Sequence, residues 1–320
     1  MFKNYLKTAL RNLSRQRGTA FVNVLGLMLG ISGSIILFLL LSHILTFDKF
    51  QENYDRIYRV VSEDEGNDGK NYSGGVPSPL PVAFRNDFPE AKEVAFTSYQ
   101  AGGLILIPLA NDEFKKFQEE SGIVYTEPSL FKIFTIPAII GDPVSGIGKP
   151  NEAVLSRSQA LKYFGKEDAV GEVISYDKKD FKVTAIVEDP KDNSDFPFTV
   201  FLSYETVRKE IEAHGWGSTW SDENCYFLLK EGLDVKEVNQ RMAAFTDKYI
   251  GKENHSHRLY MTQPLSTIHY DDRFGSYTYN TTNVGTILAL IVIAVFLVLT
   301  ACINFINLAT AEAIKRSKEV

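Results

Sequence analysis

A glycine-rich loop comes nearest to a phosphate-binding motif in this sequence. Gly146, Gly148 and Lys149 stand within four residues, and the backbone amides of glycine-rich loops can hold phosphate. The loop lacks the G-x-x-x-x-G-K-[ST] spacing, and Pro150 stands where the serine or threonine would bind Mg²⁺. We therefore expect no ATP binding by this chain and interpret the loop, residues 141–152, as a boundary between two subdomains.

The histidines are candidate metal ligands or general bases. His255 and His257 are two residues apart, which places both imidazoles on one side of an extended segment. No third ligand at a useful spacing supports a metal site. His214 and His269 are predicted to be surface or capping residues. The sequence therefore predicts no metal.

Cysteines and nucleophile motifs add no chemistry. Cys225 lies in a predicted strand and Cys302 in a predicted membrane helix, so the two cannot form a disulfide with each other. No G-x-S-x-G elbow is present. The acidic centre of the chain argues against a nucleic acid partner. We predict that the chain is not an enzyme and binds no cofactor of its own.

Two long apolar segments determine the organisation of the chain. Residues 19–47 and 285–310 contain no Asp, Glu, Lys or Arg, and each exceeds the roughly 20 residues that an α-helix needs to cross a bilayer. Neither shows the polar face of a soluble core helix. Both are predicted to be transmembrane helices, and they enclose a domain at residues 48–284.

Charge predicts the orientation of these helices. The first 18 residues carry five cations and no acid, residues 311–320 carry a net charge of about +1, and the domain carries −12. The positive-inside rule then places both termini in the cytoplasm and residues 48–284 on the outer side of the membrane. A cleaved signal peptide is the alternative for the first segment, but its apolar run is too long and no small-x-small site precedes Asp48.

Residues 1–18 have the pattern of a basic amphipathic helix. Apolar residues recur at i, i+3, i+4, i+7 and i+8, and lysines and arginines occupy the rest of the helical wheel. Such a helix would lie in the inner headgroup layer and contact membrane lipid, with Gly18 ending it. The alternative is a simple positive flank of the first span.

Small and amide side chains in the two spans predict helix packing. Gly26, Gly30 and Ser34 share one face of the first span, where they allow close approach of another helix. Asn304 and Asn307 lie three residues apart near the cytoplasmic end of the second span. Interhelical hydrogen bonding and a simple interfacial location are both open for these amides.

The domain is predicted to be α+β and to contain two subdomains. Strands and helices intermingle without a βαβ rhythm, which argues against a doubly wound sheet. Ser156 resembles an N-cap, and Gly165 resembles the residue that ends its helix. The predicted strands are Ile57–Ser62, Leu104–Leu109, Ala153–Leu155, Phe181–Val187, Cys225–Leu229 and Arg258–Thr262. The predicted helices are Pro79–Asp87, Ser156–Phe164, Tyr204–His214 and Val235–Tyr249.

Several local strings resemble those of one family, in order along essentially the whole chain. They are FKNYLKTALRNLSRQRGTAFVNVLGLMLGI at the start, FDKFQENYDRIYRVV after the first span, GDPVSGIGKPNEAVLSRSQALKYFGKEDAVGEVI, FKVTAIVEDPKDNSDFPF, QPLSTIHY, and ACINFINLATAEAIKRSKEV at the end. The chain resembles an ABC transporter permease of the MacB/FtsX-like family, in the form common in Bacteroidetes.

This resemblance implies an N-terminal amphipathic helix, a first span, a MacB-like periplasmic core domain and an FtsX-like unit with three further spans. Residues 316–320 match the opening of the family's cytoplasmic coupling segment, R-x-x-E-[VI]-G-[IV]-R-K, so the chain is expected to be truncated after its second span.

The resemblance also implies partners and a mechanism. A separate or fused cytoplasmic ABC ATPase binds ATP and draws two permease copies together, as a homodimer or heterodimer, and the outer domains move by mechanotransmission during export or extraction of a substrate. A periplasmic adaptor or substrate protein is a further expected partner. The residues expected to contact the ATPase are Lys3, Arg11, Arg316 and Glu319; charges that only set the topology are the alternative.

Two other functions remain as alternatives. Two spans around an external domain are also the layout of a membrane sensor or receptor with a periplasmic ligand-binding domain. A membrane-tethered hydrolase is the other alternative, and turnover of a substrate by residues 48–283 alone would decide in its favour.

Overall fold

The computed structural model describes residues 17–66, 69–109, 113–251 and 257–317. The chain forms two compact units. One contains the two long terminal helices, called here the helix pair. The other is Thr46–Asn283, called here the domain. The predicted amphipathic helix lies outside the described residues except for its last two positions.

Within the described residues, the helices are mostly short except for the two terminal ones. They are α1 (Arg17–Ile44), α2 (Leu80–Asp87), α3 (Leu130–Ile133), α4 (Arg157–Phe164), α5 (Arg208–Glu212), α6 (Val235–Ile250), α7 (Leu265–Ile268) and α8 (Val284–Ser317). Single 3₁₀ turns occur at Tyr54–Arg56, Ser145–Ile147 and Tyr204–Thr206.

The strands of the described residues join into one sheet. They are β1 (Ile57–Gly66), β2 (Gly69–Ser73), β3 (Ala91–Tyr99), β4 (Gly103–Pro108), β5 (Phe114–Glu119), β6 (Ile123–Thr126), β7 (Ala138–Ile140), β8 (Glu152–Ser156), β9 (Val173–Tyr176), β10 (Lys179–Val187), β11 (Val200–Ser203), β12 (Glu223–Leu229) and β13 (His257–Pro264).

The sheet is mixed. Its order is β13-β1-β12-β3-β6-β11-β8-β10-β9-β4-β5, with β2 paired to β1 and β7 paired to β10. The β8–β10 and β6–β11 pairs are parallel, and the other neighbours are antiparallel. This confirms the predicted mixed fold class, a domain of strands and helices between two terminal apolar helices.

The centre of the sheet is buried on both faces. Along β6, β8 and β11, successive side chains enter two different apolar clusters, as the pleat requires: Val124, Val154 and Phe201 belong to one, and their immediate neighbours in each strand to the other. These short strands therefore have continuous burial rather than polar alternation. The sequence analysis identified β8 and missed β6 and β11; none of the three has the alternation that is specific to a strand.

A third cluster covers the β1–β12–β3 region. Helix α2 contributes Leu80 and Phe84, and helix α6 contributes Val238, Met242 and Phe245. Asp234 begins α6 by accepting a hydrogen bond from the backbone N–H of Lys236 at 3.0 Å. The amphipathic pattern of α6 thus places one apolar stripe on the sheet.

The predicted helices agree with the structure in three of four places. Ser156 is the N-cap residue of α4, although its hydroxyl bonds the Ser158 hydroxyl and Asp189 accepts the Ser158 N–H instead. Gly165 ends α4 in the left-handed region, at φ +70°. The predicted helix Tyr204–His214 is wrong as one element: the 3₁₀ turn Tyr204–Thr206 and α5 are separate, because Val207 has φ −117° and ψ 0°.

The first apolar run is longer than its helix. Helix α1 ends at Ile44, and Thr46 and Phe47 belong to the domain, where the Phe47 side chain is buried. The predicted span 19–47 therefore extends too far at its C-terminal end. The apolar character of Phe47 serves the core of the domain.

The glycine loop at residues 141–152 packs against the sheet. Gly146 accepts a hydrogen bond from the hydroxyl of Thr184 in β10, and Ile147 is fully buried. A Cβ added at Gly146 would lie 2.8 Å from the Thr184 Oγ1 atom. Glycine at this position allows close packing. The division of the domain into two subdomains remains a prediction.

Candidate functional site

The helix pair brings some of the predicted packing residues together. A Cβ added at Gly30 would lie 2.9 Å from the Ala301 Cβ atom, and one at Gly26 would lie 3.0 Å from the Asn304 Nδ2 atom. The Asn304 amide donates a hydrogen bond to the backbone oxygen of Asn23 at 2.7 Å. The two helices therefore touch where small residues and one amide face each other.

Ser34 and Asn307 are the other two predicted packing residues. The Ser34 hydroxyl donates to the Gly30 oxygen of its own helix at 2.6 Å, and Asn307 is exposed within the pair. Most other apolar side chains of α1 and α8 are exposed as well, which suits a lipid surrounding.

Of the four residues predicted to contact an ATPase, three lie outside the described residues: Lys3, Arg11 and Glu319. Arg316 is in the last turn of α8. Likewise His255 lies outside them, and His257 begins β13.

A buried polar cluster inside the domain joins the first and last segments of that unit. We call it the polar clasp and define it as Asp48, Ser194, Asp195, His269 and Thr278. All but Thr278 are less than a tenth exposed. The members come from three regions that are far apart in sequence, so the sequence analysis did not detect the clasp.

Asp48 is the centre of the clasp. Its carboxylate accepts the Ser194 hydroxyl at 2.6 Å and the Asp195 backbone N–H at 3.1 Å. Asp48 has φ +54°, a left-handed conformation that is uncommon outside glycine and that is held here by these bonds. Burial raises the pKa of Asp48 to about 7, against the pull of the two hydrogen bonds.

His269 occupies the other side of the clasp. The prediction that His269 is a surface or capping residue is wrong: its ring is buried and stacks on Phe47 with centroids 3.5 Å apart. Its Nδ1 atom lies 3.3 Å from the Asp195 carboxylate, which also accepts the Thr278 hydroxyl at 3.0 Å. The local charge pattern of the sequence could not predict the contact between Asp195 and His269, because the two residues are 74 positions apart.

The clasp is not arranged for nucleophilic catalysis. A nucleophile of the Ser-His-Asp kind requires the serine to donate to the imidazole. Here Ser194 donates its proton to the Asp48 carboxylate. Within the described residues, no group of three or more His, Cys, Asp or Glu side chains could hold a metal ion.

Arg59 forms a second polar anchor. This arginine is 2 % exposed. It donates to the Gln263 side-chain oxygen at 2.6 and 3.1 Å, to the Asn224 side-chain oxygen at 3.2 Å and to the Gly275 backbone oxygen at 2.9 Å. Arg59 thereby links β1, β12 and β13 to the segment that precedes α8.

That segment, residues 269–283, has little regular structure but is fixed at several points. Tyr277 is buried in an aromatic cluster, and its hydroxyl lies 2.7 Å from the Thr97 hydroxyl. The Thr282 N–H donates to the His269 oxygen at 2.8 Å. At the other end of the domain, the Asn193 side chain donates to the Thr46 oxygen at 3.0 Å. Both chain ends of the domain are thus bound to its interior.

Such a domain, with α1 before it and α8 after it, defines a membrane protein with one large domain outside its spans. Phe21–Ile44 and Val284–Thr310 are long and apolar enough to cross a membrane. The family model of the MacB-like periplasmic core domain matches residues 20–245. The chain belongs to this family of ABC transporter permeases.

The chain is similar to three solved structures, and the first of them shows the same fold. A domain of a putative permease protein from Porphyromonas gingivalis aligns with a TM-score of 0.55 and 15% identity, covering 67% of this chain and 91% of that one. The periplasmic region of MacB from Actinobacillus actinomycetemcomitans aligns at 0.47, with 14% identity and coverage of 67% and 91%. The extracellular domain of the ABC-type transporter YknZ from Gram-positive bacteria aligns at 0.39, with 11% identity and coverage of 65% and 99%. No curated protein matches the chain.

Proposed function

We propose that this chain is the membrane subunit, or part of it, of an ABC transporter in which ATP hydrolysis by a cytoplasmic partner moves the extracytoplasmic domain. Permeases of this family work with ATPase partners. The proposal assigns both termini to the cytoplasm, the domain to the periplasm and the helices to the inner membrane. It also assigns two permease copies to each assembly, and Lys3, Arg11, Arg316 and Glu319 to the ATPase contact.

The polar clasp is the observation that supports this mechanism best. Two peptide links join the helices to the domain along the chain, Leu45–Thr46 and Asn283–Val284. Within the domain, the clasp ties residues 46–48 to residues 269–278 through buried hydrogen bonds. If either peptide link is displaced, the force therefore reaches the polar clasp. This suits a domain that must move as one body.

Distance measurements on the complete transporter test the proposal. A nitroxide at Trp220→Cys, an exposed position of the domain, would report the separation of the two copies in nanodiscs that also contain the partner ATPase. We expect ATP to shift this distance, and we expect no shift with a partner whose P-loop lysine is replaced so that it does not bind ATP. An unchanged distance during ATP turnover would contradict the proposed motion.

The clasp provides a variant with a matched control. His269→Ala removes the buried stack and the Asp195 contact, and we expect it to reduce the ATP-dependent shift while the ATPase rate is kept. His214→Ala is the control, because the His214 side chain is 43% exposed. Equal shifts in both variants would show that the clasp does not transmit the motion.

A further inference from the structure

The domain contains a cavity that the proposed mechanism does not use. Its volume is about 290 Å³. Five phenylalanine rings contribute to its wall: Phe50, Phe134, Phe196, Phe198 and Phe201. Such an apolar, concave site is the usual form of a small-ligand pocket.

The polar groups of the wall are already paired within the protein. The Gln51 side-chain oxygen accepts the Thr135 N–H at 2.6 Å, and the Thr135 hydroxyl accepts the Glu52 N–H at 3.0 Å. Ser194 donates to Asp48. The interior thus offers a ligand few free polar partners, and an apolar body suits it best, because a buried polar group without a partner is costly.

The volume limits the size of that body. A cavity of about 150 Å³ lined by Leu, Ile and Phe binds benzene, which has six carbons. This cavity is about twice as large, so it holds about a dozen non-hydrogen atoms. That is one unbranched chain of about ten carbons with its head group, and it is too small for the two chains of a phospholipid.

The mouth of the cavity favours an anionic head group. Glu188 binds Arg157 at 2.9 Å, and Asp189 accepts the Ser158 N–H at 3.0 Å, so both carboxylates are engaged. The ammonium group of Lys191 lies over the Phe50 ring, 4.2 Å from its centroid. Within the part of the chain that the structure describes, Lys191 has no carboxylate partner. Its charge is available to an anion.

We propose that this cavity binds a single-chain anionic amphiphile, a free medium-chain fatty acid, with its carboxylate at Lys191 and its chain among the phenylalanine rings. The site belongs to the domain and needs neither ATP nor a partner subunit. It therefore stands independently of the transport mechanism proposed above.

Photo-crosslinking of the full chain in phosphatidylcholine nanodiscs tests this site. The probe is a decanoic acid with a diazirine in its chain, and the labelled peptides are mapped by mass spectrometry. We expect labelling in peptides that contain Phe134 or residues 196–201, in addition to non-specific labelling of α1 and α8. Labelling confined to α1 and α8 would overturn the proposal.

Two variants make the test specific. Ile136→Trp fills the cavity, and Lys191→Glu reverses the charge at its mouth; each should reduce labelling of the domain at least fivefold. Lys191→Arg is the matched control and should keep the labelling of the domain at the level of the natural chain. Lys191 is exposed, so its variants leave the core intact. Undiminished labelling in Ile136→Trp and Lys191→Glu would show that the probe does not occupy the cavity.

Three further probes test which head group the cavity prefers and whether the bound molecule is a free acid, a phospholipid or an aromatic compound. The corresponding diazirine alcohol should label the domain several-fold less than the acid, and a diazirine phospholipid should not label it. Equal labelling by the alcohol would overturn the role of Lys191, and labelling by the phospholipid would overturn the choice of a free acid. Stronger labelling by a neutral photoreactive naphthalene would show an aromatic anchor as the occupant.

Discussion

The helix pair and the domain are stabilised by different means. In the helix pair the contact includes Gly30 against Ala301 and an amide hydrogen bond from Asn304. In the domain, charged and polar groups such as Arg59 and Asp48 are buried and satisfied by several partners each. Lipid removes the hydrophobic driving force between helices, so close packing replaces it. In the domain, burial makes every polar partner costly to remove.

The largest effect is expected from the buried arginine. Arg59→Met keeps much of the apolar stem but removes the donor to the Gln263 and Gly275 oxygens and leaves the Asn224 oxygen only the Tyr226 hydroxyl, at 3.4 Å. We expect the free energy of unfolding of the domain to fall by about 4 kcal/mol, because each unmet buried oxygen costs about 1–3 kcal/mol. Urea titration of the full chain in nanodiscs measures this through Trp216 and Trp220, the two tryptophans of the chain, both in the domain.

Arg273→Met is the control for this change. The Arg273 side chain is 54% exposed and pairs with Asp271 on the surface, so its loss should cost less than about 1 kcal/mol. Equal losses in the two variants would show that burial does not distinguish the arginines.

The second effect is a pH dependence from Asp48. The folded carboxyl holds its proton up to about pH 7, whereas the unfolded one releases it near pH 4. The folded state thus binds more protons between these values, and the contribution of Asp48 to the unfolding free energy falls as pH rises from about 4 to about 7. The total change is on the order of 4 kcal/mol.

Asp48→Asn removes this contribution. In the same fluorescence titration, we expect the variant to gain stability relative to the natural chain as pH rises from 4 to 8. Burial also raises the pKa of Glu223 to about 7, but that contribution is present in both chains and cancels. Asp192→Asn, at an exposed position two residues before Ser194, should change nothing. A pH profile of Asp48→Asn parallel to that of the natural chain would contradict the burial argument.

The third effect concerns the helix pair. Gly30→Leu places a side chain where Ala301 Cβ is 2.9 Å and the Leu297 backbone oxygen 3.3 Å from the new Cβ. We expect a loss of about 1–3 kcal/mol in helix association, because overpacking forces the backbones apart. Nitroxides on the native Cys302 and on Phe21→Cys would show a longer mean distance. Cys225 is buried, and burial raises the pKa of its thiol, so it should react slowly with the label.

Gly18→Leu is the matched control for the helix pair, since no heavy atom lies within 4 Å of its added Cβ. Its distance distribution should equal that of the natural chain. Identical distributions for Gly30→Leu and Gly18→Leu would show that the glycine contact does not hold the helices.

The smallest effect is expected from the amides. Asn304→Leu removes the bond to the Asn23 oxygen, and membrane hydrogen bonds of this kind contribute about 0.6 kcal/mol on average. The separated population in the same distance measurement should rise about threefold. Asn307→Leu, at an exposed position, should leave it unchanged, and a larger effect at Asn307 would point to a partner helix on that face.

The sequence predicted features that depend on neighbouring residues. The lengths of the apolar runs predicted the two helices that are long and apolar enough to cross a membrane. Ser156 and Gly165 predicted the two ends of α4. Strand β10 was predicted because its apolar residues alternate with Lys182 and Thr184. The short strands β6 and β11 have no such alternation and were missed, whereas β8, which is buried in the same continuous way, was predicted.

What the sequence determined by itself is therefore the arrangement of the chain: two apolar helices, a mixed domain between them and the family to which it belongs. Only the tertiary structure decided that Asp48, Asp195 and His269 form one buried cluster and that phenylalanines from distant segments enclose a cavity. Helix periodicity and hydropathy are local properties, readable within about 20 residues. The clasp joins residues up to 147 positions apart, and that proximity depends on the order of strands in the sheet.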